Sequence, residues 1–392
     1  MRVLVATDDT VGPVMAGSAL RAFELARALE RRGHEVRIAG AAGSRPPDDA
    51  GPPLVREPPW AWSEAVVAPP WSLPPRAFLG RRLLIADGVT PLLAELEAMP
   101  QTPERARRRR TAAARLPLVA ARADAVLAAG PAQVEWWSER LRGRFGLPLL
   151  TVPFGVPDQP PPAERGGVPG VPDDWRVVLW WGGVWPWLDL DTLLDARARL
   201  GPVKLSLVVP VAPRPGARGA GWDAAALAGA VRARGLAPPQ VVALDRWVPY
   251  RERHRILNRA DLVAVLHRSG DEAALSFRTR ALDAVWAAVP MLLSEGGEVS
   301  RLAHQHGWGG VIPPGDVGAT AAAIEWLLTD HEQARCRLAL EQARPSWTWS
   351  RVTEPLAAAI PELPRVRRRA LLPAAIRAAL ALWPGGALER MP

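Results

Sequence analysis

The stretch RVLVATDDTVGPVMAGSALRAFELARALERRGHEVRIA, Arg2 to Ala39, decides the fold. Arg2 to Thr7 is a nearly continuous apolar run, the pattern of a buried strand, and Asp8 to Gly17 reads as the loop that follows it. From Ser18 to Arg32 the period changes: Ala22, Leu25, Ala26 and Leu29 share one helical face, with Arg21, Glu24, Arg27 and Arg31 displayed elsewhere. Ser18 is the expected N-cap and Gly33 the left-handed residue that closes the helix. Glu35 to Ala39 then returns as a second strand, completing a βαβ unit.

Outward from this unit, Arg82 to Ala86 and Ala125 to Ala128 are further strand candidates. Between Val156 and Asp174 proline and glycine are too dense for a regular element, and the stretch reads as a linker. The alternation then restarts, with strands expected at Arg176 to Trp181, Val203 to Val209, Val241 to Leu244, Leu262 to Leu266 and Met291 to Ser294. With 392 residues, more than one hydrophobic core usually spans, two domains are expected. The predicted class is α/β: two doubly wound, Rossmann-like domains facing a central cleft, with ligands at the carboxyl ends of the strands. The predicted division is 1–158 for the first domain, 159–172 for the linker, 173–350 for the second domain, and 351–392 for a helical segment packing back on the first.

Hydrophobic residues make up 48% of the chain and charged residues 23%, which excludes wholesale disorder and a membrane-embedded protein. The net charge of +9 is almost all arginine, Lys204 being the single lysine. The densest run, Arg105 with Arg107 to Arg110, has no interleaved aromatics on which bases could stack, so a solvated loop or helix start is expected and nucleic acid is not a predicted partner. Cys336 stands alone, which excludes an internal disulfide and a multi-cysteine zinc site. No signal-peptide region and no apolar run of about twenty residues occurs, so a cytoplasmic protein is expected. Arg365 and Arg367 to Arg369, followed by Leu371, Leu372, Ile376, Leu380, Leu382 and Trp383, form a basic amphipathic tail. It either packs back on the first domain or touches the inner membrane face peripherally.

Several segments, in order along nearly the whole chain, together resemble glycosyltransferase family 4. They are Gly12-Pro13, Met15-Ala16-Gly17 and Arg21; Leu25 to Leu29; Gly33-His34-Glu35-Val36; Val152 to Val156; and Gly182-Gly183 after a strand. Trp247-Val248-Pro249-Tyr250, Ala260-Asp261-Leu262, and Ser276-Phe277-Arg278-Thr279-Arg280 running to Asp283 and Val289-Pro290 are similar to a bacterial subgroup with a Ser-Phe-Arg-Thr-Arg signature. The resemblance implies the GT-B fold and a hexosyltransferase that moves sugar from a nucleoside-diphosphate donor to an acceptor hydroxyl. It implies retention of configuration and no metal or other cofactor. Two departures stand out. The family's pair of glutamates seven residues apart would fall at Leu275 and Asp283, so only the second position carries a carboxylate, and Glu272 is the nearest substitute for the first. The usual Arg and Lys-Gly phosphate clamp is replaced by Val184-Trp185-Pro186-Trp187.

Sugar transfer needs a grip on base and ribose and donors aimed at the departing diphosphate, where negative charge grows. A helix from Ser276 to Ala288 would offer its N-terminus to the phosphates, with Arg278 and Arg280 adding charge-assisted hydrogen bonds and Glu272 holding the sugar. These three are the expected catalytic residues. Gly182, Gly183, Trp247, Val248, His267, Ser276, Phe277 and Asp283 are expected to bind the donor, with Asp283 on the ribose. Gly182-Gly183 is a phosphate loop or an ordinary tight turn, and Trp247 a base-reading edge or a core residue. Gly17, Arg21 and Asp87 are assigned to the acceptor side. His304 and His306 lack a carboxylate cluster, so no metal site is expected. Thr7 to Gly17 gives no Gly-x-Gly-x-x-Gly turn, which argues against a dinucleotide-dependent oxidoreductase. A sugar-nucleotide epimerase and a catalytically silent sugar-nucleotide-binding partner remain as alternatives.

Overall fold

The computed structural model describes residues 1–47, 51–78, 81–141, 147–211 and 221–363. The described residues divide into two compact units: those of 1–12, 17–153 and 352–363 form one, and those of 13–16 and 154–351 form the other.

The first unit carries β1 (Arg2–Ala6), α1 (Gly17–Arg31), β2 (Glu35–Ala39), β3 (Leu54–Val55), β4 (Ala65–Ala68), β5 (Leu83–Asp87), α2 (Leu92–Ala98), α3 (Pro103–Arg122), β6 (Ala125–Ala128), α4 (Pro131–Arg140) and β7 (Leu149–Thr151). Its strands form one parallel sheet in the order β3-β2-β1-β4-β5-β6-β7. Val3 pairs with Val36 on one side and Ala65 on the other. Val3, Leu4, Val5 and all of β4 and β6 are buried, the signature of strands covered on both faces.

Two features of α1 correct the expected pattern. The helix begins at Gly17, and Ser18 donates its hydroxyl to Asp9 Oδ2 instead of capping. Arg21 and Glu24, expected outside, are buried. The Arg105 to Arg110 run lies in the opening turns of α3, capped by Thr102, whose hydroxyl accepts from the Arg105 amide at 3.1 Å.

The second unit carries β8 (Arg176–Trp180), α5 (Leu190–Arg199), β9 (Leu205–Pro210), α6 (Ala224–Ala233), β10 (Val241–Leu244), α7 (Arg253–Leu257), β11 (Leu262–Val265), α8 (Asp271–Leu275), α9 (Thr279–Ala287), β12 (Met291–Ser294), α10 (Gly297–His306), β13 (Gly309–Ile312), α11 (Val317–Leu327) and α12 (Asp330–Ala343). The sheet is again parallel, ordered β10-β9-β8-β11-β12-β13. Leu179, Trp180, Leu262 and Val263 are fully buried, each aliphatic side chain contributing about 1.5 to 3 kcal/mol by leaving water. Gly309 permits the last pairing: a Cβ there would lie 1.8 Å from the Met291 carbonyl oxygen. Cys336 is buried on α12.

The Pro/Gly stretch is strapped to this second unit and is not a free tether. The Asn258 amide donates to the Pro162 and Glu164 carbonyls at 2.8 Å, and Trp286 Nε1 donates to Gln159 at 2.8 Å. Residues 352–363, including a short helix Glu354–Ala359, belong to the first unit. The basic amphipathic tail from Arg365 to Trp383 lies outside the described residues.

Candidate active site

In the second unit, β8 and β11 are neighbours, and the chain leaves them in opposite directions: β8 leads outward to β9 and β11 to β12. Such a switch point opens a crevice at the carboxyl ends of the two strands. Here those ends carry Trp181-Gly182-Gly183 and Leu266-His267.

Gly182 has φ +91°, the left-handed region that only glycine enters without strain. Its missing side chain makes room for Arg280: a Cβ at Gly182 would lie 3.1 Å from Arg280 Nε and 3.2 Å from Cζ. Arg280 stands in the first turn of α9 and is half-buried. Its guanidinium makes no hydrogen bond or ion pair with a described residue, and burial pushes its pKa down to about 10. A cation held in a partly dry site, with Glu272 acting on it only through space and no carboxylate hydrogen-bonded to it among the described residues, is suited to receive an anion. Gly183 lies beside the Trp185 indole, which stacks on Trp187 at 5.8 Å and 14°. Aromatic rings thus occupy the segment where the resemblance led one to look for a clamp.

Arg278, expected beside Arg280 on the phosphates, does something else. It is 2% exposed, and Nη1 donates to the Ser294 carbonyl and, at 2.6 Å, to the Ser300 hydroxyl, while Nη2 donates to the Glu295 carbonyl at 3.0 Å. It pins the turn from β12 into α10. The reason is local: the helix predicted from Ser276 starts only at Thr279, and the extended Ser276 to Arg278 segment turns Arg278 inward.

Glu272 is also corrected. It is not in a loop but on the short helix α8, and it is 5% exposed. Its Oε2 lies 2.8 Å from His267 Nδ1, and Ser276 hydrogen-bonds to the same carboxyl group. Burial pushes Glu272 up to about 7, against the pull of Ser276, Arg278 and Arg280. His267 is pushed well below its ordinary value, first by burial and then by the two arginines. The His267 amide donates to Ser294 Oγ at 2.8 Å, fixing the strand end from the β12 side.

Asp283 lies further along α9, half-buried, with Oδ1 accepting from Arg253 Nε at 2.9 Å and Oδ2 from Trp181 Nε1 at 2.8 Å. Arg253 is itself stacked, 3.8 Å from the Tyr250 ring centre and 4.0 Å from that of Trp286. Each Asp283 oxygen keeps a lone pair beyond these bonds. Trp247 and Val248 sit half-buried in the loop after β10, so the core reading of Trp247 does not hold. Phe277 is buried, 5.9 Å from the Trp347 ring. The sequence reading missed Trp181, Arg253 and Ser294.

In the first unit, Gly17 opens α1. Arg21 is consumed structurally: Nε donates to Asp87 Oδ2 at 2.7 Å, and the two terminal nitrogens donate to the Pro153 and Val152 carbonyls at 2.8 and 2.9 Å. Asp87, at the carboxyl end of β5, keeps Oδ1 buried without a partner among the described residues. A cavity of about 120 Å³ opens at the carboxyl ends of β1, β2 and β4, walled by Trp60, Leu73 and Pro74 and edged by Thr7, Asp8 and Ser72. The described residues hold no group of three His, Cys, Asp or Glu side chains placed to bind a metal, and no helix long and apolar enough to cross a membrane.

Neither a protein-family model nor a curated protein sequence matches the chain. Solved structures do. Sucrose-phosphate synthase from Thermosynechococcus elongatus is 16% identical, with a TM-score of 0.63 over 93% of this chain and 99% of that one. Anabaena HepE, solved with UDP and glucose, is 16% identical with a TM-score of 0.63, covering 93% and 100%. An α,α-trehalose-phosphate synthase from Burkholderia xenovorans, solved with glucose-6-phosphate, is 13% identical with a TM-score of 0.66, covering 92% and 100%. At such identities the likeness speaks for architecture, and with two parallel-sheet α/β units the chain has the GT-B fold.

Proposed function

We propose that this chain is a glycosyltransferase, of the family 4 kind, that moves a hexosyl group from a nucleoside diphosphate to an acceptor hydroxyl. The observation that carries the reading is the unpaired Arg280 guanidinium packed against Gly182 at the switch point of the second unit. In the reaction the bond between the anomeric carbon and the phosphate oxygen breaks, its electron pair leaving with the phosphate, the anomeric carbon bonds the acceptor oxygen, and the acceptor proton passes to the departing diphosphate. The departing diphosphate gains negative charge as the bond lengthens. Arg280 and the first amides of α9 face that charge and stabilise the transition state more than the bound donor. Asp283, held by Arg253 and Trp181, offers its remaining lone pairs to the ribose hydroxyls.

The acceptor is assigned to the first unit, where the cavity beside Trp60 provides an aromatic wall and Thr7, Asp8 and Ser72 a polar edge. Retention of configuration, independence of metal and of any other cofactor, and a cytoplasmic setting with peripheral membrane contact through the tail complete the proposal. That Anabaena HepE was solved with UDP and glucose makes a uridine donor the first to try. The test is transfer from UDP, GDP, dTDP and ADP hexoses to a panel of hydroxyl acceptors, read as nucleoside diphosphate released together with a glycosylated product of unchanged anomeric configuration. Release of diphosphate with no product beyond water hydrolysis, or no release at all, contradicts it.

A second reading, a silent sugar-nucleotide-binding partner, is favoured by one observation: Leu275 holds no carboxylate, and Glu272 is turned into the protein against His267. Nucleotide binding without turnover on any acceptor would select it.

A further inference from the structure

His267 ends the central strand β11, two residues past Val265, and its ring is nearly buried. One ring nitrogen, Nδ1, is taken by Glu272 at 2.8 Å. The other, Nε2, makes no hydrogen bond to a described residue and is not fully sealed from solvent, at the carboxyl end of the sheet where β8 and β11 part. Which of the two nitrogens carries the proton follows from the partner of Nδ1. A carboxylate can only accept, so it fixes the proton on Nδ1 and leaves Nε2 with a lone pair.

Resting on the glycosyl-transfer reading, we propose that His267 Nε2 accepts a hydrogen bond from a hydroxyl of the transferred sugar, with Glu272 as the positioning residue that fixes the accepting tautomer. The pair sits just past the carboxyl end of β11, and the neighbouring strand β8 leads into Gly182, against which Arg280 packs, so the ring and the diphosphate cation belong to one crevice. The charged groups around the ring are Glu272 on α8, Arg278 and Arg280 at the start of α9, and Arg268 next in sequence, which pairs with Asp191 at 3.0 Å and Asp189 at 4.0 Å on the α5 side. Ser276 and Ser294 are the neutral neighbours.

Protonation inverts the device. When Glu272 takes up a proton, near its value of about 7, the carboxyl O–H donates to Nδ1 and the ring proton moves to Nε2, which then donates. The ring remains neutral throughout, because burial and the two arginines oppose its charging.

The experiment is nitrogen NMR of histidine-labelled full-length protein, with His267 assigned through His267→Gln. The free protein at about pH 8 should show His267 protonated on Nδ1 and bare on Nε2, and acidification to about pH 6 should exchange the two while the ring stays neutral. Adding UDP-glucose, or whichever of the GDP, dTDP and ADP hexoses binds, should shift Nε2, whereas the free nucleoside diphosphate should not. His267→Gln should bind the diphosphate as wild type does and lose about tenfold in sugar-nucleotide affinity. A protonated Nε2 at about pH 8 overturns the tautomer, and an unmoved Nε2 with donor bound overturns the sugar contact. If wild type binds neither diphosphate nor sugar nucleotide, the glycosyl-transfer reading fails and this proposal falls with it, whatever the tautomer.

Discussion

Replacing Glu272 by Gln removes one proton site from the buried pair, and the effect on stability can be worked through proton by proton. Near pH 5.5, about midway between the ordinary values of the two groups, the unfolded chain carries one proton on His267 and none on Glu272. The folded chain also carries one, but on Glu272, whose pKa is pushed up to about 7, while the ring stays bare. The counts match, so in wild type the pair contributes little net slope of stability against pH. In Glu272→Gln the unfolded histidine still takes its proton as pH falls through its ordinary 6.5, and the folded ring still refuses it, since burial, Arg278 and Arg280 all remain. A depressed folded pKa gives stability that is present above the unfolded value and lost below it. Between about pH 7.5 and about pH 5.5 the variant should lose about 1.4 kcal/mol, and about 2 kcal/mol relative to wild type, where Glu272 offsets the loss. Urea unfolding of both proteins across that range, followed by tryptophan fluorescence, measures it, and groups common to both cancel in the difference. Parallel stability curves would show that folded Glu272 does not hold the proton and would refute the reasoning.

Arg278→Ala takes a donor from the buried Ser300 hydroxyl, from the Ser294 carbonyl, which keeps the Ser300 hydroxyl, and from the Glu295 carbonyl, and should destabilise the second unit by about 2 kcal/mol in urea unfolding, in contrast to Arg280→Ala, which should unfold like wild type. Arg253→Ala removes a cation from between two aromatic faces and one bond from Asp283, for an expected loss of about 2 kcal/mol; a loss under about 0.5 kcal/mol would dissolve the proposed Asp283 anchor. Transfer activity should survive EDTA, because Arg280 and the α9 terminus are assigned to the diphosphate; loss on chelation, restored by magnesium or manganese, would contradict that assignment.

The architecture was legible where strands are apolar and long enough to show their period. β1, β2, β5, β6 and β8 to β12 fall within two residues of their expected places. β3 has two residues, β7 three, and β13 opens with Gly309-Gly310, whose strand conformation is set by the backbone of Met291 and not by their own propensity. β4, Ala65–Ala68, is a four-residue run between proline-rich turns and gives no periodicity. The site was half legible. Glu272 is singled out as the carboxylate nearest to Leu275, and His267 by its place at a strand end upstream of it, and the structure joins the two. Arg278 and Arg280 look alike in a chain rich in arginine; the helix start at Thr279, which no capping residue announces, sends one to backbone carbonyls and the other to Gly182. Arg21 and Arg253 meet their partners across 66 and 30 residues, a pairing that only the folded sheets create.

In the proposed reaction Arg280 is the cation that meets the donor's diphosphate. Calorimetric titration of UDP, GDP, dTDP and ADP into wild type and Arg280→Ala, at one fixed salt concentration, tests it most directly. Wild type should bind at least one of the four, and Arg280→Ala should bind that nucleotide about ten to a hundred times more weakly while unfolding at the same urea concentration. Equal affinity in the two proteins would contradict the assignment of the diphosphate to Arg280.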